Sequence, residues 1–228
     1  MATQIQAAEP RAVEIGPLRL KGLLGVPEAA RGLVIFAHGS GSGRLSPRNQ
    51  HVATALREAG FATLLLDLLT PDEEEDRANV FDIPLLARRL AAAADWAEEQ
   101  PDLSRLPLGY FGASTGAGAA LVAAAEMDGR IEAIVSRGGR PDLAGAALER
   151  VRAPTLLIVG SRDVQVIELN EQALARLPGA KRLATVAGAT HLFEEAGTLD
   201  EVIRLAADWF GEHLPVRSHA ELRHADGP

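Results

Sequence analysis

Gly109-Tyr-Phe-Gly-Ala-Ser-Thr-Gly-Ala-Gly118 is the stretch whose reading decides the fold. An apolar run, Leu106 to Phe111, leads into it, and a segment rich in small residues, 115–126, follows it. That order reads as strand, sharp turn, helix. Its centre, Gly112-Ala113-Ser114-Thr115-Gly116, fits the pattern G-x-S-x-G. The spacing has a mechanical reason. A serine at the tip of a tight strand-to-helix turn has a strained backbone, and only glycine clears the neighbouring chain on either side of it. Small residues beyond the turn let the helix lie close on a sheet, and the helix N-terminus points its unpaired N–H groups at the serine. Ser114 is therefore the candidate nucleophile. The blander alternative is a glycine-rich turn that holds an anion.

The same alternation extends in both directions. Residues 11–26 read as two short strands with Gly16-Pro17 as their turn. Continuous apolar runs at Leu33–Ala37, Ala62–Leu66, 131–136 and 154–160 suit strands buried on both faces, and 181–186 is a further strand. Between them, helical spacing falls at 47–59, 83–99, 166–176 and 199–213, with a short helix at 142–150. Asp142 is expected to cap that short helix. Pro71 to Asp82 reads as an acidic loop, and its run Asp72 to Asp76 as solvated, not a metal site. The fold class expected is α/β: a mostly parallel, doubly wound sheet with helices on both faces and an antiparallel edge. A single domain is expected over 11–214, between a flexible start at 1–10 and a polar tail at 215–228.

A serine hydroxyl needs a base, and a turn of this kind is followed in the chain by an acid and then the base. Four histidines follow Ser114. His219 and His224 lie in the tail and His213 near the end of the last helix, which leaves His191, in the loop Ala187-Gly-Ala-Thr-His-Leu-Phe193. Asp163 follows the apolar run Leu156–Val159 directly, in Gly160-Ser-Arg-Asp163. It thus falls at a strand's C-terminal end, where open α/β sheets bind ligands. Asp142 and Glu194 are weaker candidates for the acid. The oxyanion of an acyl-transfer intermediate needs two N–H donors. Thr115, after the serine, supplies one. The other is expected from the loop His38-Gly-Ser-Gly-Ser-Gly43, with Ser40 favoured and Gly39 and Gly41 beside it. His38 is expected to shape that loop. Arg44 and Arg137 are candidates to bind an anionic group of the substrate, because an arginine fork matches a carboxylate or phosphate.

The totals exclude other classes. The 228 residues carry a net charge of −8, which disfavours nucleic acid as a partner. There is no cysteine, so a disulfide framework, a thiolate metal site and a cysteine nucleophile are all excluded. Aromatic residues are only 4%, so Ala, Leu, Val and Ile must build the core. No apolar run approaches the roughly 18 residues of a membrane helix, and the start, MATQIQAAEPRAVEIG, does not read as a signal peptide. A cytoplasmic location is expected. Residues 38–44, GSGSGR after the histidine, lack the lysine and following Ser/Thr of a P-loop.

HGSGSG (38–43), GASTG (112–116), GSRD (160–163) and ATHLF (189–193), in that order, resemble the α/β-hydrolase superfamily, and within it the dienelactone hydrolase-like group. The resemblance covers roughly residues 11–213. It implies a Ser114–His191–Asp163 triad, an acyl-enzyme, a small-molecule ester as substrate and no metal or organic cofactor. Dienelactone hydrolases use a cysteine nucleophile where this chain has Ser114, so general cleavage of small carboxylic esters is expected, with lactones and anionic esters as variants of it. Only roughly seventeen residues (137–153) separate two strands where the superfamily inserts a lid, so no sizeable cap is expected. The alternatives are an acyltransferase or perhydrolase with the same triad, and a catalytically silent fold used for binding.

Overall fold

The computed structural model describes residues 9–214. Strands β1 (Arg11–Ile15) and β2 (Leu20–Gly25) form an antiparallel hairpin. Its turn covers Gly16–Arg19, closed by Arg19 N–H to Gly16 O at 3.0 Å, so it is longer than the Gly16-Pro17 pair suggests. The remaining strands are β3 (Leu33–Ala37), β4 (Ala62–Leu66), β5 (Leu108–Ala113), β6 (Ile131–Arg137), β7 (Thr155–Gly160) and β8 (Lys181–Val186). They are parallel to one another, and β2 joins them antiparallel to β4, giving the order β1-β2-β4-β3-β5-β6-β7-β8. Every residue of β3, β4, β5 and β7 is buried. Parallel strands need helical crossovers, and those helices cover both faces, which is why these runs are apolar without alternation.

Helices α1 (Pro47–Glu58), α2 (Pro71–Glu74), α3 (Arg77–Val80), α4 (Ile83–Glu98), α5 (Thr115–Glu126), α6 (Val164–Arg176) and α7 (Thr198–His213) complete the fold, with a 3-10 segment at Pro141–Arg150. On one face α1 and α7 lay Val52, Leu56, Val202 and Phe210 against Phe36, Phe111, Val135 and Ile158. On the other, α4, α5 and α6 lay Leu90, Leu121 and Ala173 against Ile35, Leu64, Tyr110 and Leu157. No helix among the described residues is long and apolar enough to cross a membrane.

The structure departs from the sequence expectation in three further places. The acidic stretch 71–82 is not a loop throughout; it holds α2 and α3. Thr70 and Glu73 form a reciprocal capping box, with Glu73 N–H to Thr70 Oγ1 at 3.3 Å and Thr70 N–H to Glu73 Oε2 at 2.9 Å. Those bonds, with Arg89 beside the carboxylate, hold Glu73 below the usual carboxylate range. Neither short helix fully buries a residue, and with Val80 only partly buried against the core, caps define them more than packing does. Strand β5 runs 108–113 and not 106–111. Pro107 only offers its carbonyl to Leu33 N–H (2.9 Å), while Gly112 and Ala113 stay in register with Ser136 and Arg137 up to the serine. Finally, the segment at 141–150 is a 3-10 helix kinked at Gly145, and Asp142 does not cap it. Arg140 clamps that carboxylate bidentately at 2.8 and 2.7 Å. The expectations for residues 1–8 and for the tail 215–228 lie outside the described residues.

Helix α5 meets the sheet at Gly116. A Cβ there would stand 2.2 Å from Ala37 O and 2.5 Å from His38 O, at the end of central strand β3. Gly→Ala in an ordinary helix stabilises by about 1 kcal/mol. Here the sign reverses: Gly116→Ala is expected to lower the unfolding free energy by about 3 kcal/mol, read from urea denaturation.

Candidate active site

Ser114 joins β5 to α5 with φ 49° and ψ −124°, a backbone conformation that L side chains rarely adopt. Its surroundings hold it there. Ser114 N–H donates to Arg137 O (3.3 Å), and Ser114 O accepts from Arg140 N–H (3.0 Å) and Ala117 N–H (3.1 Å). The neighbouring glycines are steric requirements. A Cβ on Gly112 would lie 2.5 Å from Ala117 Cα, and one on Gly39 would lie 2.9 Å from Ser114 Cβ.

Asp163 stands after β7 and His191 after β8, and the structure brings them together: His191 Nδ1 lies 2.6 Å from Asp163 Oδ2. The carboxylate side chain is 17% exposed and the imidazole side chain 39%. Asp163 occupies the N-cap of α6, a position where aspartate ordinarily bonds its own helix, yet its side chain makes no cap bond. It is turned to His191 instead. The two loops are joined by Ser161 N–H to Val186 O (2.9 Å), Arg162 N–H to Ala189 O (2.9 Å) and Gly188 N–H to Ser161 Oγ (2.8 Å). A Cβ on Gly160 would lie 2.4 Å from Ala189 O, which shows how closely they run. Buried Phe193, at φ 55°, anchors the far side of the histidine loop. A Cβ on Gly138 would lie 3.6 Å from His191 Nδ1, so the imidazole sits over the end of β6, the strand paired with Ala113. With Nδ1–H directed at Asp163, Nε2 keeps its lone pair.

The glycine-rich loop after β3 lines a cavity of about 330 Å³ with Thr115, Leu69, Val80 and Leu86. His38 anchors that loop. Its Nε2 accepts Leu68 N–H at 3.1 Å, which leaves Nδ1 to donate to Gly39 O at 3.0 Å. Ser40 N–H does not stand free: it donates to Thr115 Oγ1 at 3.1 Å.

The two arginines have different fates. The Arg44 guanidinium pairs with Asp67, whose Oδ1 also accepts Arg44 N–H at 2.8 Å, so Arg44 braces its own loop. Sequence reasoning passed over Asp67; its place at the end of the β4 run was the available signal. Arg137 has no such partner. Its side chain is part-buried, its Nη1 is sealed from solvent without a hydrogen-bond acceptor among the described residues, and its guanidinium lies 6.0 Å from the Phe111 ring centroid. Burial, with Arg48 nearby, pushes its pKa down to about 10, so it remains cationic at neutral pH. Arg48 pairs with Glu194 at 2.9 Å, so that weaker acid candidate is engaged by an arginine. Asp142, the other, is held by Arg140.

A mostly parallel sheet with a strained serine at one strand end, and an aspartate–histidine pair at the ends of two others, defines an α/β-hydrolase fold. The dienelactone hydrolase family model matches residues 20–209, and the chain belongs to that family. A dienelactone hydrolase from Anabaena variabilis ATCC 29413 is similar at 55% identity with a TM-score of 0.87, over 93% of this chain and 100% of that one. Two Mycobacterium tuberculosis proteins, from strains CDC 1551 and H37Rv, are 63% identical over 202 residues and carry the provisional name phosphoribosyl transferase. The match takes in 89% of this chain but 46% of theirs, so the chain spans about half the length of these relatives. Est1E from Butyrivibrio proteoclasticus, 17% identical over 90% of this chain and 98% of its own, shares the fold with a TM-score of 0.75.

The role of His38 can be tested by stability alone. His38→Ala strands the buried Leu68 N–H, and a loss of about 1–3 kcal/mol in unfolding free energy is expected. An unchanged denaturation midpoint would remove His38 from this role.

Proposed function

We propose that this chain hydrolyses small carboxylic esters through an acyl-enzyme on Ser114, with His191 as general base and acid and Asp163 as its orienting partner. The observation that carries the proposal is the 2.6 Å contact between His191 and Asp163 at the sheet end that also holds the strained Ser114. The side chain of Asp163 is withheld from its own helix to make that contact. In this mechanism Ser114 Oγ attacks the ester carbonyl while its proton passes to His191 Nε2. The N–H of Thr115 and the Ser40 side of the glycine-rich loop enclose the oxyanion. His191 then protonates the leaving alcohol, and a water activated by the same imidazole releases the acid. The cavity of about 330 Å³, with Leu69, Val80 and Leu86 at its apolar wall, suits a small acyl group.

Arg137 supports a preference within this class. A cation with one nitrogen out of solvent and no carboxylate partner among the described residues is unfavourable, and an anionic group on the substrate would relieve it. Arg44 lends this reading no support of its own, since Asp67 already pairs with it.

Labelling with a fluorophosphonate, followed by intact mass, tests the nucleophile: one adduct is expected on the wild type and none on Ser114→Ala. Asp163→Asn should fold normally yet lose about 10³–10⁴ in kcat, since the imidazole tautomer is no longer fixed. A wild-type chain that folds but takes no adduct would refute the mechanism. Offering alcohols or peroxide as competing acceptors separates hydrolysis from acyl transfer.

For Arg137→Met two opposite effects are expected. The melting temperature should rise, because a desolvated charge is replaced by an apolar chain. The kcat/KM ratio of carboxylated to neutral esters should fall by about tenfold or more, the value of a lost charge-assisted hydrogen bond. An unchanged ratio would show that Arg137 does not meet the substrate.

A further inference from the structure

Thr115 sits where the serine turn and the glycine-rich loop meet. It follows Ser114 directly and is the first residue of α5, so its N–H has no acceptor within the helix. It is 5% exposed and lines the same cavity as Gly39 and Ser40. Its Oγ1 accepts the Ser40 N–H at 3.1 Å, the group expected to reach an oxyanion directly.

We propose that the Thr115 hydroxyl is itself a donor to the oxyanion, with the Ser40 N–H bound behind it as a polarising group. This rests on the reading of Ser114 as nucleophile. A hydroxyl has one proton and two lone pairs. Because Ser40 N–H occupies a lone pair, the Thr115 proton is directed elsewhere. The usual internal acceptor for a helical threonine is the carbonyl four residues back. For Thr115 that residue is Phe111, which lies inside the ladder between Phe36 of β3 and Val135 of β6. The cavity that Thr115 lines offers the proton an open direction. A hydroxyl that receives a hydrogen bond at oxygen donates more strongly, since linked hydrogen bonds polarise one another.

The step balances without any proton leaving Thr115. The bond from Ser114 Oγ to the carbonyl carbon forms, the serine proton moves to His191 Nε2, and the carbonyl π pair moves onto oxygen. That oxygen receives hydrogen bonds from Thr115 N–H and Thr115 Oγ–H. When the tetrahedral intermediate collapses, the pair returns and the C–O bond to the alcohol breaks. The alcohol leaves with the proton held by His191.

If Ser40 N–H were instead the direct donor, Thr115 Oγ1 would be an obstruction that the substrate must displace. Valine separates the two arrangements. It keeps the shape of threonine and the Thr115 N–H, but removes the hydroxyl and releases Ser40 N–H. The experiment compares wild type, Thr115→Val, Thr115→Ala, Thr115→Ser and Ser114→Ala on p-nitrophenyl acetate. Affinity for a trifluoromethyl ketone, which forms a hemiketal oxyanion on a serine nucleophile, is measured beside it, with thermal melting to verify folding. The expected result is a loss of about a hundredfold in kcat for Thr115→Val, the typical value of one oxyanion donor, with KM nearly constant. Ketone affinity should weaken in parallel, and Thr115→Ser should recover most of both. Should valine prevent folding, Thr115→Ala supplies the same comparison. A folded Thr115→Val or Thr115→Ala enzyme as fast as wild type, or faster, would overturn the proposal while leaving Ser114 as nucleophile intact. So would a folded Thr115→Ser enzyme as slow as the valine variant. Activity that persists in Ser114→Ala would overturn the nucleophile reading and this proposal with it.

Discussion

The close approach of α5 to the end of β3 is the contact on which the rest of the site depends. Gly116 lies so near Ala37 O and His38 O that no side chain fits between them. That proximity sets the direction of the helix, and the direction forces Ser114 into its positive-φ turn. Such a backbone costs on the order of 1–3 kcal/mol and survives only where its surroundings over-determine it. The bonds to Arg137 O, Arg140 N–H and Ala117 N–H supply that determination. The serine is thus held by packing on both sides of the turn and not by its own preference.

The histidine side of the site is built differently. The loops after β7 and β8 carry few apolar anchors beyond Ala189 and Phe193, and they are tied to each other by backbone hydrogen bonds. Asp163 belongs to one loop and His191 to the other, so the hydrogen bond between them is also a bond between loops. A carboxylate that is turned away from its own helix N-terminus gives up a favourable interaction to orient a neighbour. This is a cost in stability that an isolated helix would not accept.

Charge is handled unevenly around the cavity. Arg44, Arg48 and Arg140 each have a carboxylate within reach, on Asp67, Glu194 and Asp142. Arg137 stands apart, with Nη1 out of solvent and an aromatic ring as its neighbour. In a chain with 31 acidic and 23 basic residues, a part-buried arginine without a carboxylate among the described residues is not explained by a shortage of acids.

The sheet and the three candidate triad residues were legible in the sequence because they depend on local signals. Apolar runs of strand length, glycines two residues either side of a serine, and an aspartate and a histidine in loops that follow strands are each read from a few neighbouring positions. The capping box at Thr70–Glu73 was equally local, but the acidic composition of 71–82 drew the reading to a loop. Contacts between residues far apart in the chain were beyond reach. The sequence by itself could place Arg44, Arg137, Ser40 and Thr115 near strand ends, and no further. Only the tertiary structure decided that Asp67 neutralises Arg44, that Arg137 lies against Phe111 without an ion pair among the described residues, and that Ser40 N–H meets the Thr115 hydroxyl across 75 positions of chain. The physical reason is that hydrogen bonds and ion pairs are fixed over a few ångströms, and the packing of separate loops sets distances on that scale.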